Sequence, residues 1–205
     1  MNLPNRITLG RLVLALGFFA FFVLADLERA PQAWKPLAAG AVFVLAVASD
    51  ALDGYYARKL GLQSDFGRIA DPVVDKVIVS GGLILLAGCA WARPWLPPWM
   101  VVLVIAREFM VNGLRGFIEA RGVAFPARWD GKLKMVLQCI VIPLVLAWRA
   151  LDLALPGATA WLRVVDVSAL AVTWLMFAVT MSSGARYVAA AARVLRTQGD
   201  VRGGP

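Results

Sequence analysis

Histidine is absent from this 205-residue chain, and cysteine occurs only as Cys89 and Cys139. The missing imidazole excludes histidine general bases and the commonest zinc ligand, so any bound metal must be a hard, oxygen-seeking cation. Both cysteines fall inside apolar runs, where a small buried thiol acts as a hydrophobe. Charge is scarce as well: 17% of residues are charged against 60% hydrophobic, and 13 acids face 21 bases for a net charge of +8. Long polar stretches, internal repeats and low-complexity tracts are lacking too, so no soluble domain is expected beside the apolar part.

What is present is a series of long apolar runs with a mean hydropathy of +0.73. A membrane-spanning helix needs roughly 20 such residues. Six runs qualify, at residues 10–25, 37–57, 72–91, 98–116, 133–150 and 160–182. The expected fold is therefore all-α and integral to a membrane, with six transmembrane helices in a single domain over residues 1–196. Residues 2–11 mix apolar and cationic positions, which suits a short interfacial amphipathic helix. The first run lacks a small-residue cleavage site and is expected to be retained. Residues 197–205 are polar and glycine-rich and are expected to form a mobile tail. Trp91, Trp95 and Trp99, interspersed with Pro94, Pro97 and Pro98, predict a helix-breaking turn with interfacial aromatic anchors. Small residues at Ala38–Gly40 and Gly81–Gly82 predict close helix packing.

Basic residues are distributed unevenly around these runs. Arg6, Arg11, Arg58–Arg68, Arg115–Lys134 and Arg186–Arg202 fall on one side, against Arg29, Lys35, Arg93, Arg149 and Arg163 on the other. The positive-inside rule then places both termini in the cytoplasm. Such a face attracts anionic lipid head groups and phosphorylated small molecules. Nucleic acid is not an expected partner, because the charges punctuate apolar helices and form no contiguous patch.

The acids are the informative residues. Asp50 and Asp53 stand three apart near the end of the second run, and Asp71 and Asp75 stand four apart near the start of the third. On a helix each pair shares a face. About ten intervening residues make the two helices antiparallel neighbours, so four carboxylates can converge. Two carboxylates about 4 Å apart repel by roughly 4 kcal/mol at an effective dielectric of 20. Two divalent cations would balance that charge. A salt-bridged hairpin without metal is the structural alternative, and an acid relay in a transporter is another, though a relay would spread its acids across the bilayer.

The full pattern reads D-x2-D-G-x2-A-R-x8-G-x3-D-x3-D, with Asp50, Asp53, Gly54, Ala57, Arg58, Gly67, Asp71 and Asp75 at its fixed positions. It resembles the signature of the CDP-alcohol phosphotransferases. The resemblance implies six transmembrane helices, a homodimer and a site open to the cytoplasm, where a CDP-linked lipid gives its phosphatidyl group to an alcohol and CMP departs. It assigns Asp50, Asp53, Asp71 and Asp75 to two Mg²⁺ or Mn²⁺ ions, and Asp75 also to the general base. Asp50, Asp53, Gly54, Ala57, Arg58, Gly67 and Asp71 match positions that hold the cytidine nucleotide, and Asn5 and Thr8 are candidates beside them. Helix capping equally suits Asn5 and Thr8. Arg58 suits bidentate phosphate pairing, with snorkelling to the interface as the alternative.

The acceptor is addressed by further similarity. Asn2–Asn5 with Thr8 and Arg11, Ala106–Phe109 with Gly113–Arg115, and Gly131–Lys134 with Gln138 are similar to bacterial phosphatidylglycerophosphate synthases. The substrates implied are CDP-diacylglycerol and glycerol 3-phosphate, with a bacterial-type cytoplasmic membrane as the setting. Inositol phosphate, serine or another polyol phosphate are the other acceptors known to the family. A phosphorylated acceptor needs cations, and Arg107, Arg115, Lys132, Lys134 and Arg186 are the candidates. Lys132 and Lys134 lie about 200° apart on a helix, so one of them should face the site. Arg107 could instead pair internally with Glu108. Met135 departs from these synthases, which commonly carry threonine there.

Overall fold

A computed structural model describes the backbone of residues 3–25, 29, 32–60, 65–122, 129–155, 157 and 159–202, and the side chains of 10, 12–25, 29, 32–49, 76–122, 129, 131–155, 157 and 160–195. Among these residues the chain is all-helical. Its α-helices are α1 (Leu3–Leu24), α2 (Trp34–Leu60), α3 (Asp65–Gly88), α4 (Pro98–Glu119), α5 (Trp129–Ala154) and α6 (Thr159–Arg202), with a 3₁₀ turn at Ala90–Ala92 between α3 and α4. Each apolar run has become a helix that extends past the run at one end at least. Residues 3–24 form one uninterrupted helix, so no break separates the expected interfacial segment from the first run. Helix α6 continues to Arg202 and includes part of the expected tail; at about 1.5 Å per residue its 44 residues are about 66 Å long.

Local chemistry sets several of the boundaries. Pro97 is extended (φ −62°, ψ 141°) and Pro98 occupies the first turn of α4, where a missing N–H costs no helical hydrogen bond. Gly122, at φ 78°, adopts the left-handed backbone that follows the end of α4 and donates its N–H to the Glu119 carbonyl at 2.9 Å.

Two helical segments, Gly131–Ala154 and Ala160–Leu195, are long and apolar enough to cross a membrane. Only 39% and 22% of their apolar windows are buried inside the protein, whereas the core helix of a soluble protein would be mostly buried. Large apolar side chains accordingly face outward on several helices, including Leu24, Phe109 and Trp161. Exposed apolar side chains in this number fit a lipid environment.

Helix α1 packs against α2 and α3, α5 against α2, α3 and α6, and α4 against α3 and α6. Among the described residues the extensive contacts of α2 are with α1 and α5. Phe18, Phe43, Leu83, Ile142 and Leu146 are fully buried where α1, α2, α3 and α5 meet. Small residues permit this approach. A Cβ at Gly40 would stand 3.7 Å from the Leu146 Cβ, one at Gly82 would stand 3.0 Å from the Ile142 Cδ1, and the Phe19 ring covers Gly81. These are the close approaches that the glycine clusters predict.

The tryptophans of the α3–α4 turn do not all behave as anchors. Trp95 is buried, its ring lies 4.3 Å from that of Trp148, and its Nε1–H donates to Asp166 Oδ1 at 2.9 Å. It is a core residue, because a carboxylate from α6 satisfies the indole donor that would otherwise seek the interface. Trp99 is half exposed and packs edge-on against Phe177.

Candidate active site

The backbone places positions 50 and 53 on α2 and positions 71 and 75 on α3, each pair within unbroken helix. The side chains of Asp50, Asp53, Asp71 and Asp75 lie outside the described residues, as do those of Asn5, Thr8, Gly54, Ala57, Arg58 and Gly67. Among the described residues no group of three or more His, Cys, Asp or Glu could hold a metal ion. The donor set of the aspartate motif is all carboxylate, which is the chemistry that Mg²⁺ and Mn²⁺ accept.

Next to this motif the described residues form a polar core. A cavity of about 170 Å³ is lined by Lys76, Val79 and Ser80 of α3, Glu108 of α4, and Lys134, Met135 and Gln138 of α5. Val79 follows Asp75 by one helical turn, so the α3 wall of the cavity continues the register of the aspartate motif. Met135, the departure from the related synthases, is one of the lining residues.

Glu108 is the hub of the cluster. Its Oε1 accepts from Arg107 Nη1 at 3.1 Å and pairs with the Lys134 ammonium, and all three side chains are nearly sequestered, at 10%, 5% and 11% exposure. The second arm of Arg107 donates to Ser183 Oγ of α6 at 2.6 Å, and Ser183 donates in turn to the Thr180 carbonyl at 3.2 Å. Gly184 makes room for the arginine stem, since a Cβ there would stand 2.8 Å from Arg107 Cγ. The guanidinium also lies 5.9 Å from the Tyr187 ring centroid. Three helices, α4, α5 and α6, therefore converge through side chains. Arg107 Nε, however, is buried with no hydrogen-bond partner among the described residues.

Lys134 lines the cavity beside Glu108, and Arg107, outside the lining, pairs with the same carboxylate, so among the described residues two buried cations share one acid. Burying unequal charge is costly unless a counter-ion arrives. The arrangement can receive an anion, and a phosphate is the size of group that two such cations hold well.

Of the five cations singled out for an acceptor phosphate, the fold brings together Arg107 and Lys134. The Lys132–Lys134 alternative resolves as the helical angle requires, with Lys134 buried and Lys132 exposed. Arg115 pairs with Glu119 at 2.9 Å on the surface, and Arg186 is exposed with Ser182 Oγ at 3.5 Å. Glu108 does pair with Arg107, yet its bridge to Lys134, and the parts taken by Ser80, Gln138, Ser183 and Gly184, were not anticipated. An acid inside the apolar run of α4 and a glycine within the small-residue stretch Ser182–Ala185 were the available signals.

Known proteins give the site its context. The family model described as CDP-alcohol phosphatidyltransferase matches residues 1–181. The chain is 40% identical over 154 residues, 71% of its length and 76% of the relative's, to the CDP-diacylglycerol--glycerol-3-phosphate 3-phosphatidyltransferase of Bacillus subtilis strain 168. It is 35% identical over 202 residues, 98% of its length and 85% of the relative's, to a probable phosphatidylglycerophosphate synthase of Mycobacterium tuberculosis. A Sodalis glossinidius protein named as the same phosphatidyltransferase is 34% identical over 179 residues, covering 86% of this chain and 92% of the relative. With a family match across most of its length, the chain is an enzyme and belongs to the CDP-alcohol phosphatidyltransferase family.

Proposed function

We propose that this enzyme transfers a phosphatidyl group from CDP-diacylglycerol to glycerol 3-phosphate, giving phosphatidylglycerol phosphate and CMP. The observation that carries the choice of acceptor is the buried Arg107–Glu108–Lys134 cluster beside the cavity that continues from the Asp75 turn of α3. Two cations on one described carboxylate suit an acceptor that brings its own phosphate. The printed names of the Bacillus and Sodalis relatives include the same acceptor.

In this reading Asp50, Asp53, Asp71 and Asp75 would hold two Mg²⁺ or Mn²⁺ ions, which supply charge neutralisation of the bridging pyrophosphate. Gly54, Ala57, Arg58 and Gly67, with Asn5 and Thr8, would form the nucleotide side of the site. Arg107 and Lys134 bind the phosphate of the acceptor and orient its free hydroxyl. The hydroxyl oxygen attacks the phosphatidyl phosphorus, its proton passes to the Asp75 carboxylate, and the bond from that phosphorus to the CMP oxygen breaks. Arg115, Lys132 and Arg186, exposed, contribute only longer-range attraction.

All six helices would cross a bacterial-type cytoplasmic membrane, with both termini and the site on the cytoplasmic side, as a homodimer. Exposed apolar side chains on several helices support the lipid setting, and the uneven distribution of basic residues supports the orientation.

CMP release by detergent-solubilised enzyme, measured with CDP-diacylglycerol and a panel of acceptors, tests this function. Release that requires both a divalent cation and glycerol 3-phosphate is expected. Equal release with serine or inositol phosphate would remove the acceptor assignment, and release unaffected by a chelator would remove the metal ions.

A further inference from the structure

Glu108 has no part in the transfer chemistry, yet it is the buried group to which both acceptor-binding cations are tied. We infer that Glu108 is a positioning residue, holding the Lys134 ammonium at the cavity wall so that it and Arg107 present one preformed seat for the acceptor phosphate. The inference rests on the acceptor reading given above.

The two cations depend on Glu108 to different degrees. Arg107 has a second anchor, because its other arm donates to Ser183 Oγ at 2.6 Å and its stem fills the notch at Gly184. Lys134 carries a flexible four-carbon stem, and its ion pair among the described residues is with Glu108. Arg107 pairs with the same carboxylate oxygen, so a like charge stands close to the lysine. Without the Glu108 charge, repulsion and rotamer freedom would both draw the ammonium away from the cavity. One carboxylate is enough to align two cations, but it does not neutralise them. The seat therefore keeps its attraction for a phosphate while its geometry is fixed in advance, which lowers the ordering cost of binding.

A simple competitor for the cations would act in the opposite direction, since removing it would tighten acceptor binding. Steady-state kinetics of the full-length enzyme in detergent decide between the two, with CMP release followed while each substrate is varied. For Glu108→Gln, which keeps the shape and loses the charge, the KM for glycerol 3-phosphate should rise about tenfold or more, in keeping with the cost of displacing a binding group by about an ångström. The KM for CDP-diacylglycerol should stay within about twofold, because that substrate uses the aspartate side of the site. In a double-mutant cycle, Glu108→Gln added to Lys134→Met should cost no more than about threefold beyond Lys134→Met alone.

An unchanged or lowered acceptor KM in Glu108→Gln overturns the inference. So does a parallel rise of both KM values with a lower melting temperature, which would mark a general structural role, and so do fully multiplicative effects in the cycle. If Glu108→Gln fails to accumulate, Glu108→Asp keeps the charge and shortens the reach; a raised acceptor KM then supports the inference and an unchanged one overturns it. Wild-type enzyme that releases no CMP with glycerol 3-phosphate would overturn the acceptor reading and this inference together, an outcome separate from any behaviour of the variants.

Discussion

Around the α3–α4 turn the chain buries Trp95 against the partly buried Trp148, Arg149 and Asp166, and about half of α4 away it buries Arg107, Glu108 and Lys134. At the turn the charged groups are paired one to one, although Arg149 Nε, like Arg107 Nε, is buried with no hydrogen-bond partner among the described residues. The Trp95 indole donates to Asp166 at 2.9 Å, and Arg149 Nη1 pairs with Asp152 at 3.1 Å while its guanidinium lies 5.4 Å from the Trp91 ring centroid. In the other cluster one carboxylate serves two cations. A matched set fastens the ends of α5 and α6 to the turn and asks for nothing more. Two cations on one carboxylate can take a further anion, which is what a substrate phosphate provides. Substitutions at the turn should therefore lower stability and spare the kinetics, and substitutions at the cavity should do the reverse.

The largest effect should come from Asp75→Asn, which removes the proposed base and leaves the residue's size unchanged. CMP release should fall by about 10²–10⁴-fold, the usual contribution of a general base, with the melting temperature in detergent nearly unaltered. Substantial residual turnover would remove Asp75 from that role. At the opposite end, Trp95→Ala empties a buried site beside Trp148 and strands the Asp166 carboxylate. A loss of about 3–5 kcal/mol in unfolding free energy is expected, while both KM values stay close to wild type. A selective rise in acceptor KM in this variant would break the distinction between the two regions.

Lys134→Met tests the cavity from its cationic side and should be smaller in effect. Loss of one charge-assisted contact to phosphate is worth about 1.5–3 kcal/mol, so the KM for glycerol 3-phosphate should rise by roughly 10–100-fold. Thermal stability should hold or improve, because methionine relieves the burial of an excess charge. A variant that melts earlier with unchanged acceptor KM would place Lys134 among the fold's own fastenings.

How far these regions could be read in advance follows from where their information is stored. The helices were legible because long apolar runs without charge admit few other solutions, and the start of α4 was legible in Pro97 and Pro98. The aspartate register was legible because spacings of three and four residues are a local property of one helix. Trp95 was misread as an interfacial anchor because its partner, Asp166, is 71 residues away, and sequence gives no distance across that gap. The Arg107–Glu108 pair is local and was foreseen, whereas the bridge to Lys134 on another helix was not. Lys134 and Lys132 could be told apart only as alternatives, since helical angle states that they diverge but not which one meets the core.

Gly184→Ala gives the smallest and most discriminating effect. The added Cβ would stand 2.8 Å from Arg107 Cγ and 3.3 Å from its Nε. The clash falls on the stem and not on a free tip, and the tip is held by Glu108 and Ser183, so the guanidinium cannot simply swing aside. Alanine is otherwise the better helix former, by about 1 kcal/mol over glycine, and α6 is continuous here. The gain in helix propensity should offset much of the steric cost, leaving the melting temperature within a few degrees of wild type. A displaced Arg107 would still raise the acceptor KM several-fold, short of the roughly 10²-fold cost of a full ångström. Stability nearly kept and acceptor binding lost in one variant is the combination expected of the unmatched cluster. The same variant with normal kinetics and a lowered melting temperature would show that Arg107 fastens α4 to α6 as Trp95 fastens the turn, and the two regions would then differ only in composition.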